Sequence, residues 1–98
     1  MIVLSLWKGE INPAGMVPRH SRAAIRRIIE DVAAKHGVDI AELSGPAQHR
    51  RIVHIRQEAM WTAREFNGAS FPEIGRVLNR DHTTVLHGVR AHAARIGA

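Results

Sequence analysis

The sequence holds no cysteine and no tyrosine. The first absence excludes disulfides, thiolate metal ligation and a cysteine nucleophile, and it fits a reducing cytosol. The second leaves two Trp and two Phe as the only aromatics, so a core must come from Ile, Val, Leu and Ala, which suits closely packed helices. Proline is scarce, with two of the four residues, Pro13 and Pro18, falling in the first eighteen. Long apolar runs are missing as well. Met1–Trp7 is largely apolar but far short of the ~20 residues that cross a bilayer. It has no basic lead-in, and Lys8-Gly9-Glu10 ends it, so it does not read as a signal peptide. A cytoplasmic protein without a membrane partner is expected. No alternating strand pattern, internal repeat or low-complexity stretch occurs.

What is present is a positive charge carried by arginine. The 98 residues have a net charge of +5, with only two lysines, Lys8 and Lys35. From Ser44 onward eight arginines face four acids, whereas Met1–Leu43 holds six bases and five acids. A polyanion-binding surface is therefore expected in the C-terminal part. Arginine suits bidentate contacts to phosphate and guanine. Charge alone leaves a merely soluble basic surface equally open.

The length suits one domain with one modest core. Residues 1–18 lack helical period and read as an arm, followed by a folded domain over 19–98. A helix is expected from about Ser21 to His36, with Ser21 as N-cap and Ile25, Ile28, Ile29, Val32 and Ala33 on one face. Asp39 heads a short helix, Ile40 to Leu43, which Ser44-Gly45-Pro46 breaks. After a basic loop, Gln48 to Arg51, a long helix should span about Arg50 to Asn67, burying Ile52, Ile55, Ala59, Ala63 and Phe66. Ser70-Phe71-Pro72-Glu73 has the form of a capping box. The helix behind it carries Ile74, Val77 and Leu78 inward, and Gly75 permits a close approach. Asn79-Arg80 is a tight turn. Asp81 then caps a last helix, His82 to about Ile96, with Val85, Leu86 and Val89 facing the core. The fold class is all-α, with four to five helices.

Two short helices joined by a very short turn form a helix-turn-helix signature. In that arrangement the start of the second helix meets base edges in the major groove. The residues here have suitable chemistry. Arg80 suits a phosphate or a guanine. Asp81 can accept from a cytosine amino group, and His82 can donate or accept. Thr83 and Thr84 offer a hydroxyl and a methyl, the latter matching a thymine methyl. His87 lies one turn on, nearer the DNA backbone. Spacing alone leaves a plainer reading open, in which Asp81 is only a cap and one of the threonines faces the protein.

The string Phe71-Pro72-Glu73-Ile74-Gly75, followed by Arg80-Asp81-His82-Thr83-Thr84-Val85-Leu86-His87, resembles the C-terminal DNA-binding domain of the bacterial replication initiator DnaA. Arg56-Gln57-Glu58-Ala59-Met60 with Ala63-Arg64-Glu65 is similar to its long central helix. The resemblance covers roughly residues 21 to 96. It implies a Trp-repressor-like helical fold, with Asp81, His82 and Thr83 reading bases and Thr84 and His87 nearby. It further implies contacts from Arg50, Arg51, Arg56 and Gln57 to the DNA backbone and minor groove; His54 and Arg90 complete that set of candidates. The sequence departs from the family pattern in three ways. It has no Gly-x-x-x-x-Gly-Lys-Ser/Thr phosphate loop, so neither a nucleotide nor any other cofactor is expected. His54 stands where many members carry a minor-groove arginine. The turn at Leu78-Asn79-Arg80 is one residue shorter than the common Gly-Gly form.

The expected function is sequence-specific binding of double-stranded DNA at DnaA-box-like sites by a stand-alone, non-enzymatic protein, a monomer or weak dimer. Two other classes are weighed against it. One is a metal enzyme or sensor using the seven histidines. His82, His87 and His92 recur every five residues, so each step turns about 140° and they share no helix face. The other is an interaction adaptor, in which the arm Met1–Trp7 docks on a partner and Trp61 packs at the domain surface.

Overall fold

The computed structural model describes residues 21–98. The arm at 1–18, with Trp7, and the boundary proposed at residue 19 lie outside the described residues. Five helices follow in order: α1 (Arg22–Lys35), α2 (Ile40–Ser44), α3 (Arg50–Asn67), α4 (Phe71–Leu78) and α5 (His82–Ile96). No strand occurs among the described residues.

Local chemistry sets each boundary. The Ser21 hydroxyl accepts from the Ala24 amide at 3.0 Å and starts α1. The ring of His49 accepts from the Ile52 amide at 3.3 Å and starts α3, where the sequence reading saw only a basic loop. Ser70 and Glu73 form the expected reciprocal box at the head of α4, at 3.2 and 2.8 Å. Asp81 accepts from the Thr83 amide at 2.9 Å and opens α5. Gly68 closes α3 in the left-handed region, at φ 77°, where a glycine carries no steric penalty.

Helix α3 is central, packing mainly on α5 and α1, while α4 packs on α5. The core joins Ile25, Ile29 and Val32 of α1, Leu43 of α2, Ile52, Ile55 and Met60 of α3, Ile74 and Leu78 of α4, and Val85 of α5. Full burial of each such side chain stabilises by about 1.5–3 kcal/mol, so these ten form the centre of the bundle, with Phe71 the aromatic packed against it. Gly88 lies where α5 crosses α3; a Cβ there would run into the Met60 sulfur, so the bare backbone of α5 packs directly on the Met60 side chain.

Two expected core positions differ. Phe66 is 41% exposed and meets Trp61 edge-on, with ring centroids 6.3 Å apart. The buried stripe of α3 runs on from Ala59 through Ala63 to Asn67, in steps of four, so Phe66 falls one position off it. Leu86 is only half-buried and outside the core, because the inward face of α5 carries Val85, Gly88 and His92. Leu86 is rotated about 100° from Val85.

Candidate nucleic-acid interface

The link between α4 and α5 is three residues, Asn79-Arg80-Asp81. Asn79 sits in the left-handed region, at φ 58° and ψ 47°. Asparagine is among the few non-glycine residues that tolerate that conformation. The Arg80 amide donates to the Gly75 carbonyl at 2.9 Å, closing the turn. Gly75 has no room for a side chain, since a Cβ would collide with the Arg80 carbonyl oxygen. The backbones of α4 and the turn therefore touch, and this contact fixes where α5 starts.

His82, Thr83 and Thr84 are all exposed, and Val85 directly behind them is buried. The sequence reading turned one threonine toward the protein; neither is buried, because Val85 is the first residue of α5 to reach the core. Asp81 is exposed and within 3.6 Å of the His82 ring. The hydrogen bond from the Thr83 amide, then the Thr83 hydroxyl and the His82 charge, hold its carboxyl below the usual carboxylate range. Thr83, His87 and Arg90 recur at steps of four and three, and all three are exposed, so the outer face of α5 is a continuous polar stripe.

Arg80 is placed differently from expectation. Its guanidinium is folded back onto four carbonyls, Gly45 at 2.6 Å, Asn79 at 3.1 Å, Leu78 at 3.2 Å and Ser44 at 3.5 Å. It straps the α2–α3 loop to the turn and is not extended toward a base. Arg56 is likewise corrected. It is 3% exposed and donates to the carbonyls of Leu43 at 2.7 Å, Ala47 at 2.9 Å and Gly45 at 3.4 Å. Burial and the neighbouring Arg80 charge lower its pKa, but a guanidinium stays protonated. These internal carbonyls, which the loop cannot satisfy by itself, take the donors assigned above to DNA.

The remaining candidates divide in two. Arg50 and His54 are exposed on α3 and extend into solvent. Arg51 is exposed but donates to the His36 carbonyl at the C-terminal end of α1, at 2.7 Å. Gln57 is half-buried and accepts from Arg95 at 2.6 Å, joining α3 to α5, so its carbonyl is already engaged.

Charge counted along the chain placed the cationic surface after Ser44, but the fold adds to it from the other end. Arg22, the first residue of α1, lines an open depression with Pro72, Arg76, Asn79, Arg80, Asp81 and His82. Neither Arg22 nor Arg76 was singled out from sequence. One signal was available: α1 and α3 have neither an acidic N-cap nor an acid in the first turn, whereas α2 and α4 carry Glu42 and Glu73 there and α5 is capped by Asp81. Acids normally favour a helix N-terminus, and a helix start left without one suits an outside anion.

No group of three or more His, Asp or Glu side chains suited to a metal occurs among the described residues. His82 and His87 are exposed, while His92 lies against Trp61 with ring centroids 5.3 Å apart. Among the described residues no helix is long and apolar enough to cross a membrane.

A short helix, a three-residue turn and a second helix with an exposed polar start, carried on a helical core, define a helix-turn-helix domain. Comparison with known proteins narrows this. The family described as bacterial DnaA protein helix-turn-helix matches residues 25–91, and the chain belongs to that family. It is 51% identical over 63 residues to the chromosomal replication initiator protein DnaA of Thermomicrobium roseum, covering 63% of this chain and 14% of that protein. Against the DnaA of Caulobacter vibrioides the identity is 42% over 77 residues, 72% of this chain and 16% of the relative. Against that of Cereibacter sphaeroides it is 40% over 70 residues, 70% and 15%. The chain therefore spans about 15% of the length of these curated relatives. No solved structure gives a significant match.

Proposed function

We propose that this domain binds double-stranded DNA by placing the N-terminal turn of α5 in the major groove, and that it selects DnaA-box-like sites. Asp81, His82, Thr83 and Thr84 meet base edges. His87 and Arg90 follow the groove wall, and Arg50 and His54 reach the backbone or the adjacent minor groove. Its role is to regulate replication initiation or transcription by occupying such sites. Neither a nucleotide nor a cofactor takes part.

The observation that carries this reading is the exposure of three consecutive polar side chains, His82, Thr83 and Thr84, at a helix start whose fourth residue, Val85, is fully buried. A turn of helix that is anchored from behind and polar in front can dock as a rigid body. Membership in the DnaA helix-turn-helix family supports the same reading. Base contacts supply specificity, and phosphate contacts supply salt-dependent affinity.

Selection of bound sequences from a random duplex pool, at two salt concentrations, tests it. The expected result is enrichment of one short motif that persists at the higher salt. Recovery of unrelated sequences at both salts, with affinity set by charge alone, counts against base reading.

A further inference from the structure

The depression beside the turn is built from two parts of the chain that are far apart in sequence. Arg22 enters it from the first turn of α1, Arg76 from α4 and Arg80 from the turn. Asp81 is the one acid on the wall. Its carboxylate already accepts from the Thr83 amide, so it is turned to the start of α5. Arg80 spends its donors on carbonyls but keeps its charge. Arg22 and Arg76 are different: both are exposed, and neither has a hydrogen-bond or ion-pair partner among the described residues. Arg26 and Arg27, by contrast, pair with acids one turn on in α1, and the other exposed arginines without such partners, Arg50 and Arg90, lie outside this depression. Arg22 also stands at the positive end of α1, with no acid in that turn to offset it. Two guanidinium groups without a partner among the described residues, on the wall of one concavity next to a helix start, suit the charge and acceptor oxygens of a phosphate.

We propose that Arg22 and Arg76 together seat one backbone phosphate of the DNA strand bordering the groove that α5 enters. This rests on the DNA-binding reading and adds a contact from α1, outside the helix-turn-helix itself. The seat fixes the angle at which the domain docks, because it holds the strand directly beside Asp81 and His82, at the start of the base-reading turn. It reads no base, since a phosphate is the same beneath every sequence.

The test uses the full chain, the duplex recovered by selection and a scrambled duplex of equal length. Arg22→Gln, Arg76→Gln and the double variant are compared with wild type across a salt series. Both side chains are exposed, so far-UV circular dichroism and melting should match wild type. The double variant should bind both duplexes more weakly by the same factor. It should flatten the plot of log affinity against log salt by about 0.9, the contribution of one phosphate. Neutral methylphosphonate groups placed one at a time along the duplex locate the contact. At one flanking position wild type should lose affinity and the double variant should lose none. An unchanged salt slope, or a methylphosphonate profile identical to wild type, overturns the seat. A slope change of about 1.8 also overturns it, because each arginine would then hold a phosphate of its own. Failure here leaves base reading intact if His82→Ala still loses discrimination between the two duplexes. Loss of that discrimination effect as well would remove the DNA reading itself.

Discussion

The guanidinium of Arg80 donates to the carbonyl oxygen of Gly45 at 2.6 Å, across 35 residues of sequence. Gly45 also accepts from Arg56, so one carbonyl joins α3, the α2–α3 loop and the helix-turn-helix turn. Arg80→Ala should therefore lower folding stability by about 1–3 kcal/mol, the usual cost of losing charged hydrogen bonds. Its salt slope for DNA should match wild type, because no phosphate contact is lost. Denaturant unfolding and a salt series measure both. Unaltered stability with a flattened slope would show that Arg80 meets DNA after all.

Arg56 offers a parallel case with a stricter outcome, since it is almost fully buried. Arg56→Met keeps length and apolar packing but leaves the carbonyls of Leu43, Gly45 and Ala47 without that donor. A loss of about 1–3 kcal/mol is expected from the stranded acceptors. Urea unfolding reads it directly. Wild-type stability combined with a weakened grip on all duplexes would return Arg56 to the contact surface.

These two arginines mark where the sequence stopped being legible. Helix starts and stops were readable because Ser21, Ser70, Asp81 and Gly68 act on their own neighbours in the chain. Ile25, Ile52, Ile74 and Val85 were readable as core from periodicity. The exposed start of α5 followed from its polar residues and from the family resemblance. Arginine carries no such local signal. The same side chain satisfies internal carbonyls in Arg56, straps a loop in Arg80 and has no partner among the described residues in Arg22. Which of these occurs depends largely on backbone carbonyls 9 to 36 residues away. Phe66 failed for a related reason: a step of three or four from Ala63 is equally helical, and tertiary packing chose Asn67.

His82 and Thr83 are exposed and make no core contact, so changing them should spare the fold. His82→Ala and Thr83→Ala should each reduce discrimination between the selected and scrambled duplexes by about 1–3 kcal/mol per lost base contact. Melting temperatures should stay at the wild-type value. Competition binding against both duplexes provides the measurement, and undiminished discrimination in both variants would argue that bases are read elsewhere.

Gly75 tests the turn as a steric device. A Cβ there meets the backbone carbonyl of Arg80, which cannot rotate away as a side chain could. Gly75→Ala should cost about 1–3 kcal/mol, within the range for overpacking, despite the better helix propensity of alanine. It should also shift α5 and weaken specific binding more than non-specific binding. Gly88→Ala is the control, because its Cβ meets the end of the flexible Met60 side chain and that side chain can move. Equal effects at the two glycines would show that close backbone approach is not what sets the turn.

Stability should also fall on acidification in two separate windows. His92 is 9% exposed, with its ring on Trp61 and its Nδ1 3.5 Å from Arg95. Burial pushes its pKa below the ordinary histidine value; Glu58 opposes this, while Arg95, Lys35 and His54 add to it. The unfolded chain therefore takes up a proton near pH 6.5 while the native ring is still neutral, and stability drops as pH falls from there through the native value. Glu58 acts lower on the scale. Burial alone would raise its carboxyl, but hydrogen bonds and charge from Lys35 and His36 outweigh that and hold it below the ordinary glutamate value. Its contribution is complete above about pH 4.3 and is lost as pH falls through the depressed native value. His92→Gln should remove the upper window and leave the lower one, whereas Glu58→Gln should do the reverse. Urea unfolding from pH 7.5 to pH 3.5 separates them. A flat profile between pH 7 and pH 5 in the wild type would mean that the native ring takes up its proton over the same pH range as the unfolded chain, against a lowered native value.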